Sequence, residues 1–187
     1  LLSVLRPDRQ RLNTLYEEAP EQWIDRILPV LISLVIRFSE SGSHPPVSDR
    51  AFMPHFSNFS HTSESFFLGG TADVFREVSE TRLRTAIDEL LEWQEYQTVQ
   101  YLLLEAYLAG GPIFADEAVD FLLKHAETQG LAIVAGRIDS VRDFVEGISP
   151  YCTQDRFQTL EKEILQHSTE YERETRGAYG RSQLVFL

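Results

Sequence analysis

Apolar residues recur at helical spacing along most of this chain. A short helix is predicted over residues 8–18, and a second begins at Pro20. From Thr71 onward, amphipathic segments follow one another with short breaks, such as Gly110-Gly111-Pro112 and Ser149-Pro150. No stretch alternates apolar and polar residues for long enough to indicate a β-strand. The pattern therefore predicts an all-α protein.

Five helical segments are predicted after Thr71. They are an amphipathic run over 74–91, a helix over 99–107, one from Ala115 to Gly130, a weaker one over 134–145 and one capped by Thr153. Phe121 and Leu160 lie 39 residues apart and hold similar places in two of these helices, a spacing that resembles HEAT or armadillo repeats. No tetratricopeptide (TPR) consensus is visible. We expect an irregular α-solenoid, HEAT-like or TPR-like, in which each helical hairpin covers the apolar face of the next.

Residues 42–70 interrupt the helical pattern. Glycines, prolines and six serines fill this stretch, but it also holds five of the twelve phenylalanines and three of the five histidines. A disordered linker would carry few aromatic residues. We therefore expect one long ordered loop over 42–70, preceded by an N-terminal helical pair over 1–41 and followed by helical-hairpin repeats over 71–187.

Charge and cysteine content narrow the possible partners. The 17 Lys and Arg residues against 29 Asp and Glu give a formal net charge of -12, which repels a phosphate backbone. Cys152 is the only cysteine, which excludes an intrachain disulfide and a cysteine-based zinc cluster. The longest apolar stretch, Trp23 to Phe38, is too short and too charged to span a bilayer. We expect a cytoplasmic protein that binds neither nucleic acid nor membrane.

The two ends of the sequence suggest a piece of a longer polypeptide. The chain opens on Leu1-Leu2 without an initiator methionine. It closes on Val185-Phe186-Leu187, within an apolar run that has no polar tail and no helix stop signal. We therefore expect neighbouring domains on the same polypeptide.

Candidate chemistry is sparse. His44, His55 and His61 share the loop and, with a nearby carboxylate, have the side chains of a metal site. Their spacing matches no short metal motif, so backbone hydrogen bonding is the favoured interpretation. A nucleophilic Cys152 would need His125 or His167 as its base. No local sequence motif supports such a site, so we interpret Cys152 as a packed thiol. The sequence predicts no catalytic, cofactor-binding or metal-binding residue.

Two sets of short motifs resemble stretches of very large bacterial ATP-binding proteins, which are similar to the antiviral STAND NTPases. The first set is Pro45-Pro46, Asp49, Phe52, Pro54, Leu68-Gly69-Gly70 and Phe75, and the second is Ser149-Pro150-Tyr151-Cys152, Leu160-Glu161, Ile164-Leu165, Gly180, Gln183 and Leu184. In that family a nucleotide-binding core precedes a long helical-repeat region, which recognises phage proteins and triggers oligomerisation. The chain lacks an ATPase motif. The resemblance therefore implies the helical region, with no catalytic residue carried over.

We accordingly expect a non-catalytic recognition and scaffolding segment of a defence ATPase. Its partners would be another protein or neighbouring domains of the same polypeptide, with homo-oligomers forming through the parent protein. Two alternatives remain open: a small helical metal-binding or enzymatic domain built on His44, His55 and His61, and a plain helical adaptor. Phe56, Phe59 and His61 are the predicted partner-binding residues, whereas Phe52 and Phe67 are expected to anchor the loop.

Replacing both Phe56 and Phe59 with serine should abolish the response of the parent protein to its partner and leave the melting temperature unchanged. Contact residues on a loop contribute to binding and little to the core. Thermal unfolding measured beside the partner response checks this. If the phenylalanines are core residues instead, each loss would cost about 3–5 kcal/mol and the melting temperature would fall sharply.

Overall fold

The computed structural model describes residues 16–39, 63–129 and 138–166, and every regular element in those ranges is a helix. The all-α prediction is thus confirmed for the described part of the chain. The α-helices are α1 (Pro20–Arg37), α2 (Ser63–Val74), α3 (Glu80–Leu91), α4 (Gln97–Gly110), α5 (Ala115–Gln129), α6 (Ile138–Ile148) and α7 (Gln154–Gln166), with a 3-10 helix at Gly111–Ile113 between α4 and α5. None of them combines the length and apolar character needed to cross a membrane.

The chain divides into two compact units at residue 110. Unit 1 comprises Leu1–Ala109 and unit 2 comprises Gly110–Leu187. Gly111 has a φ of 52°, a left-handed conformation that favours glycine and ends α4. The predicted break at Gly110-Gly111-Pro112 is therefore a boundary between units. The sequence instead predicted boundaries at residues 42 and 71, with one continuous unit from 71 to 187.

Helix α1 begins as its sequence predicts. Pro20 occupies the first position, where its missing N–H and fixed φ suit a helix start, and Glu21 adds a negative charge to the first turn. Its buried side chains share one side of the helix, and α1 packs closely on α2 and also meets α3. They are Trp23, Ile24, Leu28, Leu31, Ile32 and Val35.

Trp23 fixes the contact between α1 and α2. Its side chain is fully buried, and its indole Nε1–H donates to Thr71 Oγ1 at 3.0 Å. The Thr71 hydroxyl in turn donates to the Phe67 carbonyl at 2.8 Å, so both groups are satisfied. The Phe67 ring lies 6.2 Å from the Trp23 ring, centroid to centroid. Gly70 lets the indole approach, since a Cβ there would lie 3.1 Å from Trp23 Cζ2.

Two predicted boundaries are wrong at this point. Residues 63–70 were assigned to the long loop, but they form the first two turns of α2. Two consecutive glycines disfavour a helix, but Gly69 and Gly70 lie within α2, where Gly70 packs against Trp23. The predicted run over 74–91 is also two elements, because Ser79 has extended backbone (ψ 151°) and α3 begins after it.

The remaining predicted helices are confirmed within the described ranges. Those predicted over 99–107 and from Ala115 correspond to α4 and α5, and those predicted over 134–145 and after Thr153 correspond to α6 and α7. Only residues 16–18 of the predicted helix over 8–18 are described, and they are helical. The rest of that helix lies outside the described residues.

Replacing Gly69 or Gly70 with alanine should change stability in opposite directions. Gly69→Ala should raise the free energy of unfolding by about 0.5–1 kcal/mol, because its Cβ meets nothing within 4 Å and alanine favours a helix. Gly70→Ala should lower the free energy of unfolding by roughly 1 kcal/mol, because the buried indole has no room to move. Urea denaturation of the two variants measures both values. Equal stabilisation by both would contradict the close approach of Trp23.

Candidate interaction surface

Two carboxylates near the start of α1 hold the start of α3. Ser79, the residue that precedes α3, donates its hydroxyl hydrogen bond to Glu21 Oε1 at 2.8 Å. Arg82 Nε donates to Asp25 Oδ1 at 2.9 Å, and its other arm reaches Glu89 Oε1 at 3.3 Å. The Ser79 side chain makes no capping bond within its own helix. Its hydroxyl is instead used to join the two helices.

Two carboxylates near the start of α5 hold the start of α7 in the same way. The backbone N–H of Thr153, the residue that precedes α7, donates to Asp116 Oδ1 at 2.7 Å. Arg156 binds Asp120 with both arms, Nε to Oδ1 at 2.8 Å and Nη2 to Oδ2 at 2.9 Å. This paired geometry is the strong form of an arginine–carboxylate contact.

The two contacts repeat at the same helix positions. Glu21 and Asp116 are the second residues of their helices, and Asp25 and Asp120 are the sixth. Ser79 and Thr153 each precede the helix that is held, and Arg82 and Arg156 are each the third residue of that helix. We call each set an acid clamp. The unit 1 clamp comprises Glu21, Asp25, Ser79 and Arg82, and the unit 2 clamp comprises Asp116, Asp120, Thr153 and Arg156.

Each clamp sets the direction of the helix it holds. The second residue of α1 or α5 contacts the residue that precedes α3 or α7. The sixth residue of α1 or α5 contacts the third residue of α3 or α7. The contacts thus advance in the same sense along both helices. The two contacts of each clamp join α1 to α3 within unit 1 and α5 to α7 within unit 2, at the N-terminal part of all four helices.

One end of unit 2 exposes apolar side chains. Ile113 is 58% exposed and Tyr151 is 55% exposed. Ile113 precedes Asp116 by three residues, and Tyr151 precedes Thr153 by two. Because Thr153 and Asp116 are hydrogen-bonded to each other, both segments lie at the same end of the unit. The 3-10 helix that contains Ile113 also lies against α6. Pro112 and Pro150, beside them in the chain, are exposed as well; the four residues form the end patch.

The end patch has acidic surroundings. Residues 110–117 and 146–155 contain four carboxylates, and the next basic residue, Arg156, is paired with Asp120. These acids are Asp116, Glu117, Glu146 and Asp155. A surface of this composition favours a partner that brings apolar side chains together with positive charge.

The geometry around Cys152 does not favour a nucleophile. Its Sγ donates to the Ser149 carbonyl at 3.4 Å, and burial, followed by the charge of Asp116, raises the pKa of the thiol. A raised pKa lowers the fraction of reactive thiolate. Cys152 lies beside Asp116, near the start of α5. His125 lies nine residues further along that helix, roughly 13 Å along its axis, so Cys152 and His125 do not form a catalytic dyad.

His125 is held neutral by its surroundings. The side chain is buried on α5, and its ring lies 4.6 Å from that of Phe121, centroid to centroid. Burial, followed by the charge of the neighbouring Lys124, lowers the pKa of His125 to about 4. A neutral buried imidazole of this kind belongs to the core.

The predicted partner-binding residues Phe56, Phe59 and His61 lie outside the described residues, as do His44, His55 and the predicted anchor Phe52. Phe67 is half-buried in α2 beside Trp23. In the ranges that the structure describes, no group of three or more His, Cys, Asp or Glu residues is placed to hold a metal ion. The end patch was not predicted from the sequence, although the exposed Tyr151 directly follows the predicted break at Ser149-Pro150.

No family model, curated protein or solved structure matches this chain.

The stability of unit 2 should depend on pH through His125. The folded pKa of about 4 lies below the ordinary value of 6.5, so between these values the unfolded chain binds a proton that the folded chain does not. The free energy of unfolding should therefore fall as the pH drops from 6.5 towards 4, by on the order of 1–3 kcal/mol. Above pH 6.5 this contribution is fully present.

Urea denaturation at several pH values, compared with the variant His125→Gln, isolates this effect from the carboxylates, which titrate at lower pH. The variant should show a shallower loss of stability between pH 6.5 and about 5. Identical slopes for the two proteins would mean that His125 does not change its protonation on unfolding.

Proposed function

We propose that this chain is a non-catalytic protein-recognition and scaffolding segment built from stacked helical hairpins. The observation that carries the proposal is the repeated acid clamp, which joins α1 to α3 and α5 to α7 at equivalent helix positions. The same relation links equivalent helices of successive hairpins in an α-solenoid. Phe121 and Leu160 support it, since each is buried and is the seventh residue of its helix.

Stacked hairpins leave their connecting segments at the ends of the helices, where a partner has access. In unit 2 those segments carry the end patch, with more than half of the Ile113 and Tyr151 side chains in solvent. Tyrosine is enriched among the residues that dominate binding energy at protein interfaces. The proposed partner is a protein surface that combines apolar side chains with lysine or arginine, which complements the acidic surroundings of the patch.

The short motifs that resemble large bacterial ATP-binding proteins extend the proposal to the parent polypeptide. On this proposal the chain is the helical-repeat part of a cytoplasmic antiphage defence ATPase, and partner binding to it drives oligomerisation of the parent. A nucleotide-binding core with the pattern G-x-x-x-x-G-K-[ST] would lie elsewhere in that polypeptide. Sequencing the encoding locus tests this directly.

A metal-binding or enzymatic domain built on His44, His55 and His61 is the competing function. No observation in the described residues favours it, and metal analysis of the purified chain separates it from the recognition proposal. A plain helical adaptor would share the fold and the end patch. It differs in having no part in a response to phage.

Replacing Ile113 and Tyr151 together with serine should weaken partner binding by roughly 10- to 100-fold, because apolar anchors at interface centres carry most of the binding energy. In bacteria that carry the parent gene, phage should then form plaques as efficiently as on cells without the gene. The melting temperature should stay unchanged, since both side chains are largely exposed.

Val30→Ser provides the matched control, because Val30 is 52% exposed but lies on α1 in unit 1. It should retain full protection. If the wild-type gene gives no protection against any phage, the defence proposal is wrong. If the double variant protects as well as the wild type, the end patch is not the contact surface.

A further inference from the structure

Helices α3 and α7 are held by the same clamp but bury very different amounts of apolar surface. In α3 four apolar side chains are buried: Leu83, Ala86, Ile87 and Leu90. In α7 Leu160 is the buried one. Three other large apolar side chains of α7 are only partly covered: Ile164 is half-buried, Phe157 is 37% exposed and Leu165 is 59% exposed.

This difference changes what holds each helix. Burial of apolar surface is the main stabilising contribution to the docking of a helix. For α3 the clamp adds to a docking that its apolar face already provides. For α7 the apolar contribution is small, so the contacts of Asp116 with Thr153 and of Asp120 with Arg156 supply a much larger share of the docking free energy.

The unit 2 clamp is also open to solvent. The side chains of Arg156 and Asp120 are 45% and 50% exposed, whereas in unit 1 the exposed Asp25 (60%) is paired with a largely buried Arg82 (16%). Ion pairs in contact with water are weakened by dissolved salt, and partly buried pairs are weakened less. The contacts that hold α7 are therefore the ones that salt or a competing charged group can displace.

We propose that α7 is a releasable helix, which undocks from α5 while α5 and α6 stay folded. Release frees the carboxylates of Asp116 and Asp120 and uncovers Leu160, so it changes both the charge and the apolar area of unit 2. This conformational device does not depend on what the chain binds. It follows from the combination of solvent-exposed polar contacts at the helix start and an apolar face with one fully buried side chain, Leu160.

Hydrogen exchange of the 187-residue chain, followed by mass spectrometry, tests the proposal. Backbone amides of α7 should exchange faster than those of α5, α6 and α3, because helices that open locally lose protection before the whole unit unfolds. Raising the salt concentration from about 0.05 M to about 0.5 M should speed exchange in α7 and leave α3 nearly unchanged.

The variant Asp116→Ala/Arg156→Gln removes both contacts of the unit 2 clamp and should speed exchange in α7 roughly 2- to 30-fold. Glu21→Ala/Arg82→Gln is the matched change in unit 1. Its effect on α3 should be smaller than the effect of the first variant on α7, since the apolar face of α3 holds that helix without the clamp.

Two results would overturn the proposal. Equal acceleration of α5, α6 and α7 in the unit 2 variant would mean that the unit opens as a whole. Protection of α7 that equals that of α3 in the wild-type chain, with no response to salt or to the unit 2 substitutions, would mean that α7 is permanently docked.

Discussion

The arrangement of helices in both units depends on how a helix N-terminus is held. The first backbone N–H groups of a helix have no partner within it, and the helix dipole makes that end positive. A carboxylate from a neighbouring helix satisfies both conditions at once, as Asp116 does for Thr153. A second carboxylate one turn further along binds an arginine one turn into the held helix. Two contacts in sequence fix position and direction together, which apolar packing alone does not do, because the hydrophobic effect has no preferred orientation.

The clamp and the apolar core therefore divide the task. In unit 1 the core is extensive, with Trp23 hydrogen-bonded to Thr71 and α2 brought close by Gly70, and the clamp adds direction to a contact that packing already stabilises. In unit 2 the buried side chain of α7 is Leu160, so the clamp supplies a larger share of the free energy that docks this helix. The same local chemistry thus yields a fixed helix in one unit and a weakly held one in the other.

The sequence predicts the existence of the helices well because apolar periodicity is a local property. It predicts the glycine break at residue 110 for the same reason. It fails where distant residues decide the outcome: α2 begins before its glycines because Trp23 of α1 packs against Gly70, which no local pattern reveals. The clamps, too, are decided by residues that lie far apart in the sequence. An acid at Asp116 suits a first helical turn on local grounds, but its bond to a residue 37 positions later depends on the fold. In retrospect the signal is an acid pair four residues apart at one helix start and a Ser or Thr three residues before an arginine at another.

The distribution of exposed apolar residues supports the proposal that unit 2 carries the recognition surface. Among the described residues the large exposed apolar side chains of unit 2 are Ile113, Tyr151, Phe157 and Leu165, and those of unit 1 are Val30 and Phe38. Two of the four in unit 2 belong to the end patch and two to the weakly held helix. Exposed apolar side chains that gather near a small number of elements indicate a binding surface more strongly than the same number scattered over a protein. On the two proposals, unit 2 exposes this surface and holds α7 partly by charged contacts, so that binding of a partner can replace the contacts of α7.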